Sequence, residues 1–252
     1  KHFTIFLDFH RVIAEMTEEE IVSTIGSSKY RDMVGEVRRS FQEEGEKAAN
    51  EKKKELPSIT FSANYRGGRS SVTLIRYLGH IVIDIDHLNQ EELARILSLV
   101  KECKHTRIAF VSPKGMGLKI VVCACRPDGT LPETIQEIED FHNAAYNKVS
   151  SFYAQLCQVE IDTSGQDVGR TCLFSYDPNI YFNPDASIFI VEQPPLFYKS
   201  QKKRKVSGKK KTGTPQGAHP LTEETALNYH SSHASLMVTL NSVSYTHLTL
   251  PT

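Results

Sequence analysis

Asp84 and Asp86 stand two residues apart at the end of the apolar run Ile81-Val82-Ile83. β-Branched residues suit a buried, pleated surface, so the run reads as a strand. On a strand, side chains at i and i+2 share a face, with Cβ atoms roughly 7 Å apart. Two carboxylates that close repel one another and resist ionisation. A hard divalent cation removes the conflict by binding carboxylate oxygen. The alternative is plainer: Asp86 starts a turn and Asp84 is a polar residue satisfied within the fold.

A second group lies further on, in Ser112-Pro113-Lys114-Gly115-Met116-Gly117-Leu118-Lys119 followed by Ile120-Val121-Val122-Cys123. It reads as strand, glycine-rich turn, strand. It lacks the G-x-x-x-x-G-K-[ST] spacing of a Walker loop. Its glycines allow backbone N–H groups to approach an anion. Lys119 alternates with Leu118 and Ile120 and so faces the other side of the strand. It reads either as a phosphate or carboxylate partner or as an exposed lysine of a hairpin. Asp162 ends another short apolar stretch, and Arg170 follows a polar turn. Arg66-Gly67-Gly68-Arg69 is a basic turn whose arginines suit phosphate or are simply solvated.

The elements that must position these residues follow from periodicity and caps. Thr17 and Glu20 have capping-box spacing, as do Asn89 and Glu92. The first pair starts a helix. The second starts one with an apolar stripe of Leu93, Ile96, Leu97 and Val100. A further helix is expected from about Ser28 to Lys54, its Glu- and Lys-rich back half solvated and Pro57 closing it. Strands are expected at 58–63, 71–77, 81–86, 107–111, 171–174 and 188–191. A long helix is expected over Leu131–Cys157, capped by Thr130. His142 on it reads as decoration rather than a ligand.

Bulk composition is that of a globular protein, 39% hydrophobic and 24% charged with zero formal net charge. Any nucleic-acid surface must therefore be a local patch. Five cysteines with no C-x-x-C pair argue against a zinc ribbon or disulfide framework and suit a reducing cytoplasm. No apolar run reaches the length of a membrane span. The expected organisation is a helical N-terminal extension over 1–56, a core over 57–197, and a basic linker over 198–220. The remaining 221–252 reads as the start of another segment with a non-native tail. The expected fold class is α+β: a mixed, largely antiparallel sheet with helices on its outer face.

The order of these motifs resembles the catalytic core of the archaeo-eukaryotic primase superfamily, which includes primase-polymerases. More narrowly it resembles the N-terminal domain of virulence-associated E (VirE-type) proteins of mobile elements and phages. The resembling phrases are Leu56-Pro57-Ser58-Ile59-Thr60-Phe61, Ile83-Asp84-Ile85-Asp86, Ser112 to Lys119, and Asp162 through Arg170 to Ser175-Tyr176-Asp177-Pro178. The resemblance implies a nucleotidyltransferase of DNA replication using Mg²⁺ or Mn²⁺. Asp84, Asp86 and Asp162 would be the metal ligands. Ser112, Gly115, Gly117, Lys119 and Arg170 would contact nucleotide phosphates, and Arg66, Arg69 and Lys114 the nucleic acid. The implied partners are a single-stranded DNA template, nucleoside triphosphates and a C-terminal helicase. Polymerising members usually carry His where this sequence has Lys119. A lysine pairs with triphosphate as a point charge but cannot act as a neutral imidazole.

Two other classes fit parts of the pattern. A non-catalytic DNA-binding module would suit Lys119 but has no use for three carboxylates beside a polyanion. A metal-dependent nuclease would use the carboxylates but not a nucleotide-phosphate cradle.

Overall fold

The computed structural model describes residues 1–192, except Asp8, Asp162 and the side chains of Thr163 and Ser164. The expected linker and tail lie outside the described residues.

The chain begins with a hairpin, β1 (His2–Leu7) and β2 (Arg11–Thr17). Helices α1 (Glu18–Gly26), α2 (Arg31–Glu44) and α3 (Glu46–Lys53) follow. Next come β3 (Ser58–Thr60), β4 (Ala63–Tyr65), β5 (Leu74–Tyr77), β6 (His80–Ile85), α4 (Gln90–Glu102), β7 (Ile108–Val111) and β8 (Leu118–Cys125). The long helix α5 (Ile135–Cys157) precedes three two-residue strands, β9 (Cys172–Leu173), β10 (Tyr181–Phe182) and β11 (Phe189–Ile190). The fold is α+β and largely antiparallel; of the strand pairs, β11 with β8 is parallel.

One sheet has the order β10-β7-β8-β11, with β6 also paired to β8. Its outer face is covered by α4 and α5. Leu93, Ile96 and Val100 meet Ile138, Phe141, Ala145 and Val149 there, over Ile81, Ile83, Ile85 and Ile120. These spacings form one apolar stripe per helix, as an amphipathic helix on a sheet requires.

The inner face is covered by a second sheet, β2-β1-β3-β9. Phe3, Ile5, Ile59 and Cys172 of that sheet pack with Phe110 and Val121 of the first, joined by Ile21 and Ile25 of α1. This corrects the expected helical extension. His2–Leu7 and Arg11–Thr17 are strands, and Phe3, Ile5 and Phe6 are core residues. Burying each such side chain contributes about 1.5–3 kcal/mol. The hairpin is legible only once β3 pairs with β1, Thr4 opposite Thr60, because its own alternation is weak.

Other boundaries also moved. The helix expected over 28–54 breaks at Gly45, whose φ of 90° no helix accommodates. The long helix starts at Ile135, capped by Thr134; Thr130 instead bonds Asp128 in a turn. The stretch before Asp162, expected as a strand, is not one over Val159–Ile161. No helix among the described residues is long and apolar enough to cross a membrane.

Candidate functional site

β6 carries the site because its two faces have different surroundings. Ile81, Ile83 and Ile85 point to the helices, so His80, Val82 and Asp84 point to the second sheet. Asp84 is paired in register with Lys119 of β8. Their side chains meet, Lys119 Nζ donating to Asp84 Oδ1 at 2.6 Å. Arg170 Nη2 lies 3.7 Å from the other carboxylate oxygen. Burial disfavours ionised Asp84, but Lys119, Arg170 and Lys53 outweigh it and hold the carboxyl below its ordinary pKa. For Lys119, burial is likewise outweighed by Asp84, and its pKa is raised.

Asp86 follows the last residue of β6 and is exposed. The next residue, His87, adopts a left-handed φ of 60°. Leu88 then donates its N–H to Met116 O, tying this corner to the Ser112–Gly117 turn. Asp86 has no hydrogen bond or ion pair to another described residue.

The turn itself is closed by Ser112 N–H bonding to Gly117 O at 2.8 Å. A Cβ on Gly117 would sit 2.6 Å from Ile85 O, 3.0 Å from Asp86 Oδ1 and 3.2 Å from Ser112 Oγ. Only glycine lets the turn press against the aspartate pair. Ser112 Oγ is buried with no partner among the described residues, a cost seldom tolerated unless a ligand or water completes it. Gly115 has φ 79° and its N–H is spent on Ser112 O. Its expected role as a phosphate-facing amide is therefore corrected. Gly115 instead makes the turn and gives Arg38 of α2 room to lie across it. Arg38 donates to Pro113 O and Tyr176 O.

Asp84, Asp86, Ser112, Lys119 and Arg170 line a cleft of about 430 Å³ together with Lys53, Arg69, Asp167 and Thr171. Four of the expected phosphate and metal residues thus converge with Arg170. Arg69 is fixed on the rim, donating to Phe9 O and Gly169 O. Lys114 does not join them as a free nucleic-acid contact. It pairs with Glu46 of α3 at 2.7 Å and is mostly buried. Arg66 is exposed on the loop between β4 and β5. Asp162 lies outside the described residues, and among those described no group of three potential ligands could hold a metal.

Lys53 escaped the sequence reading, which placed it on a solvated helix. Lys52 and Lys54 do pair outward, with Glu55 and Glu51. Lys53 lies about 100° round the helix from each and enters the cleft half-buried. Burial first, then Lys114 and Lys119, lower its pKa. It has no ion-pair partner among the described residues. Nothing in Lys52-Lys53-Lys54 marks the middle lysine; only the docking of α3 does.

A family model described as "BT4734-like, N-terminal domain" matches residues 51–182, more than half of the chain. The match contains both Lys53 and the converging aspartates, lysine and arginine. No curated protein and no solved structure matches the chain.

Proposed function

The chain belongs to the BT4734-like N-terminal domain family, and from that premise we propose that it is a metal-dependent nucleotidyltransferase domain of primase-polymerase type. In this reading it acts for a VirE-type replication protein of a mobile element, beside a helicase, in the cytoplasm. The observation that carries the reading is the cleft: a carboxylate pair abutting an unpartnered serine hydroxyl, with Lys53, Lys119 and Arg170 around it. A triphosphate would engage all three cations, and Ser112 Oγ would donate to a phosphate oxygen. Asp86, which has no partner among the described residues, and Asp84 would hold Mg²⁺ or Mn²⁺ with Asp162. The donor set suits such ions, because it is carboxylate oxygen throughout. Bound there, the metal would supply polarisation of the phosphoryl group and activation of an attacking hydroxyl. Lys119 and Arg170 would have to turn from Asp84 towards phosphate for this to occur.

A second reading rests on one distance. Lys119 Nζ, 2.6 Å from Asp84 Oδ1, occupies the side of the carboxylate where a cation would bind. The domain would then bind DNA without chemistry. The test uses the full chain, since Phe3, Ile5, Phe6, Ile21 and Ile25 are part of the core. The protein is incubated with single-stranded template, labelled nucleotides and Mn²⁺, beside Asp84→Ala/Asp86→Ala. Template-dependent products lost in the variant are expected. DNA binding without products, unchanged or tightened in the variant, supports the second reading. Degraded template indicates a nuclease and overturns both.

A further inference from the structure

A second cavity adjoins the cleft. It has a volume of about 460 Å³ and lies between the β4–β5 hairpin and α5. Arg69 and Asp167 line both spaces. Arg69 is pinned by the carbonyls of Phe9 and Gly169, and Asp167 Oδ1 accepts from Gly169 N–H at 2.8 Å. The divider is therefore built into the fold, and its guanidinium borders both sides.

The chemistry of the two spaces differs. The cleft is charged. The cavity combines apolar wall from Leu74, Ile138 and Val168 with a larger polar share from Ser70, Ser71, Gln166 and α5. Glu139 and Asn143 are four residues apart, so they lie on one face of that helix. Neither side chain bonds another described residue. Apolar wall beside unspent donors and acceptors suits a heterocycle with a sugar. An acyl chain would leave the polar edge unpaired, at a cost.

We propose that this cavity holds the nucleoside of a nucleotide whose phosphates pass Arg69 into the Asp84 cleft. The inference rests on the reading of the cleft as a phosphate site. It assigns base and sugar to Leu74, Glu139 and Asn143, which lie outside every motif of the sequence, and to Val168, which lies within the last.

The test compares binding of ATP and GTP with that of inorganic tripolyphosphate to the full chain by calorimetry. At least one nucleotide is expected to bind ten times or more tighter than tripolyphosphate. Asn143→Trp, which fills the cavity, is expected to remove that advantage and leave tripolyphosphate affinity unchanged. Ser71 is exposed on the opposite rim, so Ser71→Trp supplies the same block without touching the core. Retained tripolyphosphate binding certifies the fold of each variant. Equal affinities in the wild type, or a nucleotide advantage that survives both blocks, overturns the proposal and leaves the phosphate reading standing. If neither tripolyphosphate nor nucleotide binds, both fail together.

Discussion

Two buried charge clusters sit on the same face of the same strand pair. His80 is opposite Cys123 and Asp84 is opposite Lys119. At the His80 end every charge is spent. Glu18 accepts from Arg107 Nε at 2.6 Å and Nη2 at 2.5 Å, and lies 3.3 Å from His80 Nε2. Arg107 also donates to Pro184 O, and His80 Nδ1 faces Leu78 O at 3.1 Å. At the Asp84 end charge is left over: Lys53 and Asp86 have no ion-pair partner among the described residues, and Ser112 Oγ is orphaned. A closed cluster holds α1 to the sheet. An open one faces a cleft and has capacity for a ligand. The difference separates charge spent within the fold from charge left over for a ligand, without reference to motif.

The contrast is broken most directly at Glu18. Glu18→Ala leaves Arg107 and His80 buried and uncompensated, and is expected to cost about 3–5 kcal/mol in urea denaturation. Tripolyphosphate should stabilise this variant and wild type alike, leaving the deficit between them unchanged. A variant as stable as wild type would mean that the closed cluster contributes nothing net.

Acid probes the same cluster. Burial raises the Glu18 pKa, but His80 and Arg107 outweigh it and bring it to about 2 from an ordinary 4.5. A depressed carboxylate stabilises above its unfolded pKa and loses that contribution as pH falls through the folded one. Between pH 4.5 and 2, wild type is expected to lose about 3 kcal/mol more than Glu18→Gln. His80 acts at the other end. Burial lowers its pKa, but Cys123 and Glu18 outweigh that and raise it. Its contribution is full below about 6.5 and fades as pH rises through the raised value. Parallel acid profiles for wild type and variant would count against the assignment.

At the open end, Asp84→Asn strips Lys119 of its main partner. The expected cost is about 1–3 kcal/mol. Unlike that of Glu18→Ala, the deficit relative to wild type should shrink in tripolyphosphate, by about 1.4 kcal/mol for each tenfold by which freed Lys119 tightens binding. Absence of rescue would remove the distinction between the clusters.

The smallest stability effect belongs to Lys53→Ala, within about 0.5 kcal/mol, because no contact of its charge is lost. Its tripolyphosphate affinity should nevertheless fall about tenfold. Destabilisation with unchanged affinity would make Lys53 structural.

Local signals in the sequence proved reliable where they act over a few residues. The capping boxes Thr17/Glu20 and Asn89/Glu92 both form, each closing within three residues. The alternation of β8 assigned Lys119 to the side opposite Leu118 and Ile120, and register places Asp84 of β6 beside it. The glycines of the Ser112–Gly117 turn marked a close approach, although Gly115 serves the turn rather than an anion. One local signal misled: Thr130, expected to cap the long helix, lies in a turn, and Thr134 caps it instead.

The rest depended on contacts between residues far apart in the chain. That Lys119 meets Asp84 follows from strand register, which the hydrophobic pattern limits to one parity but does not select. That Lys53 enters the cleft, Lys114 is consumed by Glu46, and Glu18 is buried follows from where helices α1 and α3 dock. Side-chain type and spacing thus determined which residues could do chemistry, because periodicity and capping are short-range. Which of them keep unspent charge was decided by tertiary structure, because a charge is spent or spared only by partners the chain brings from elsewhere.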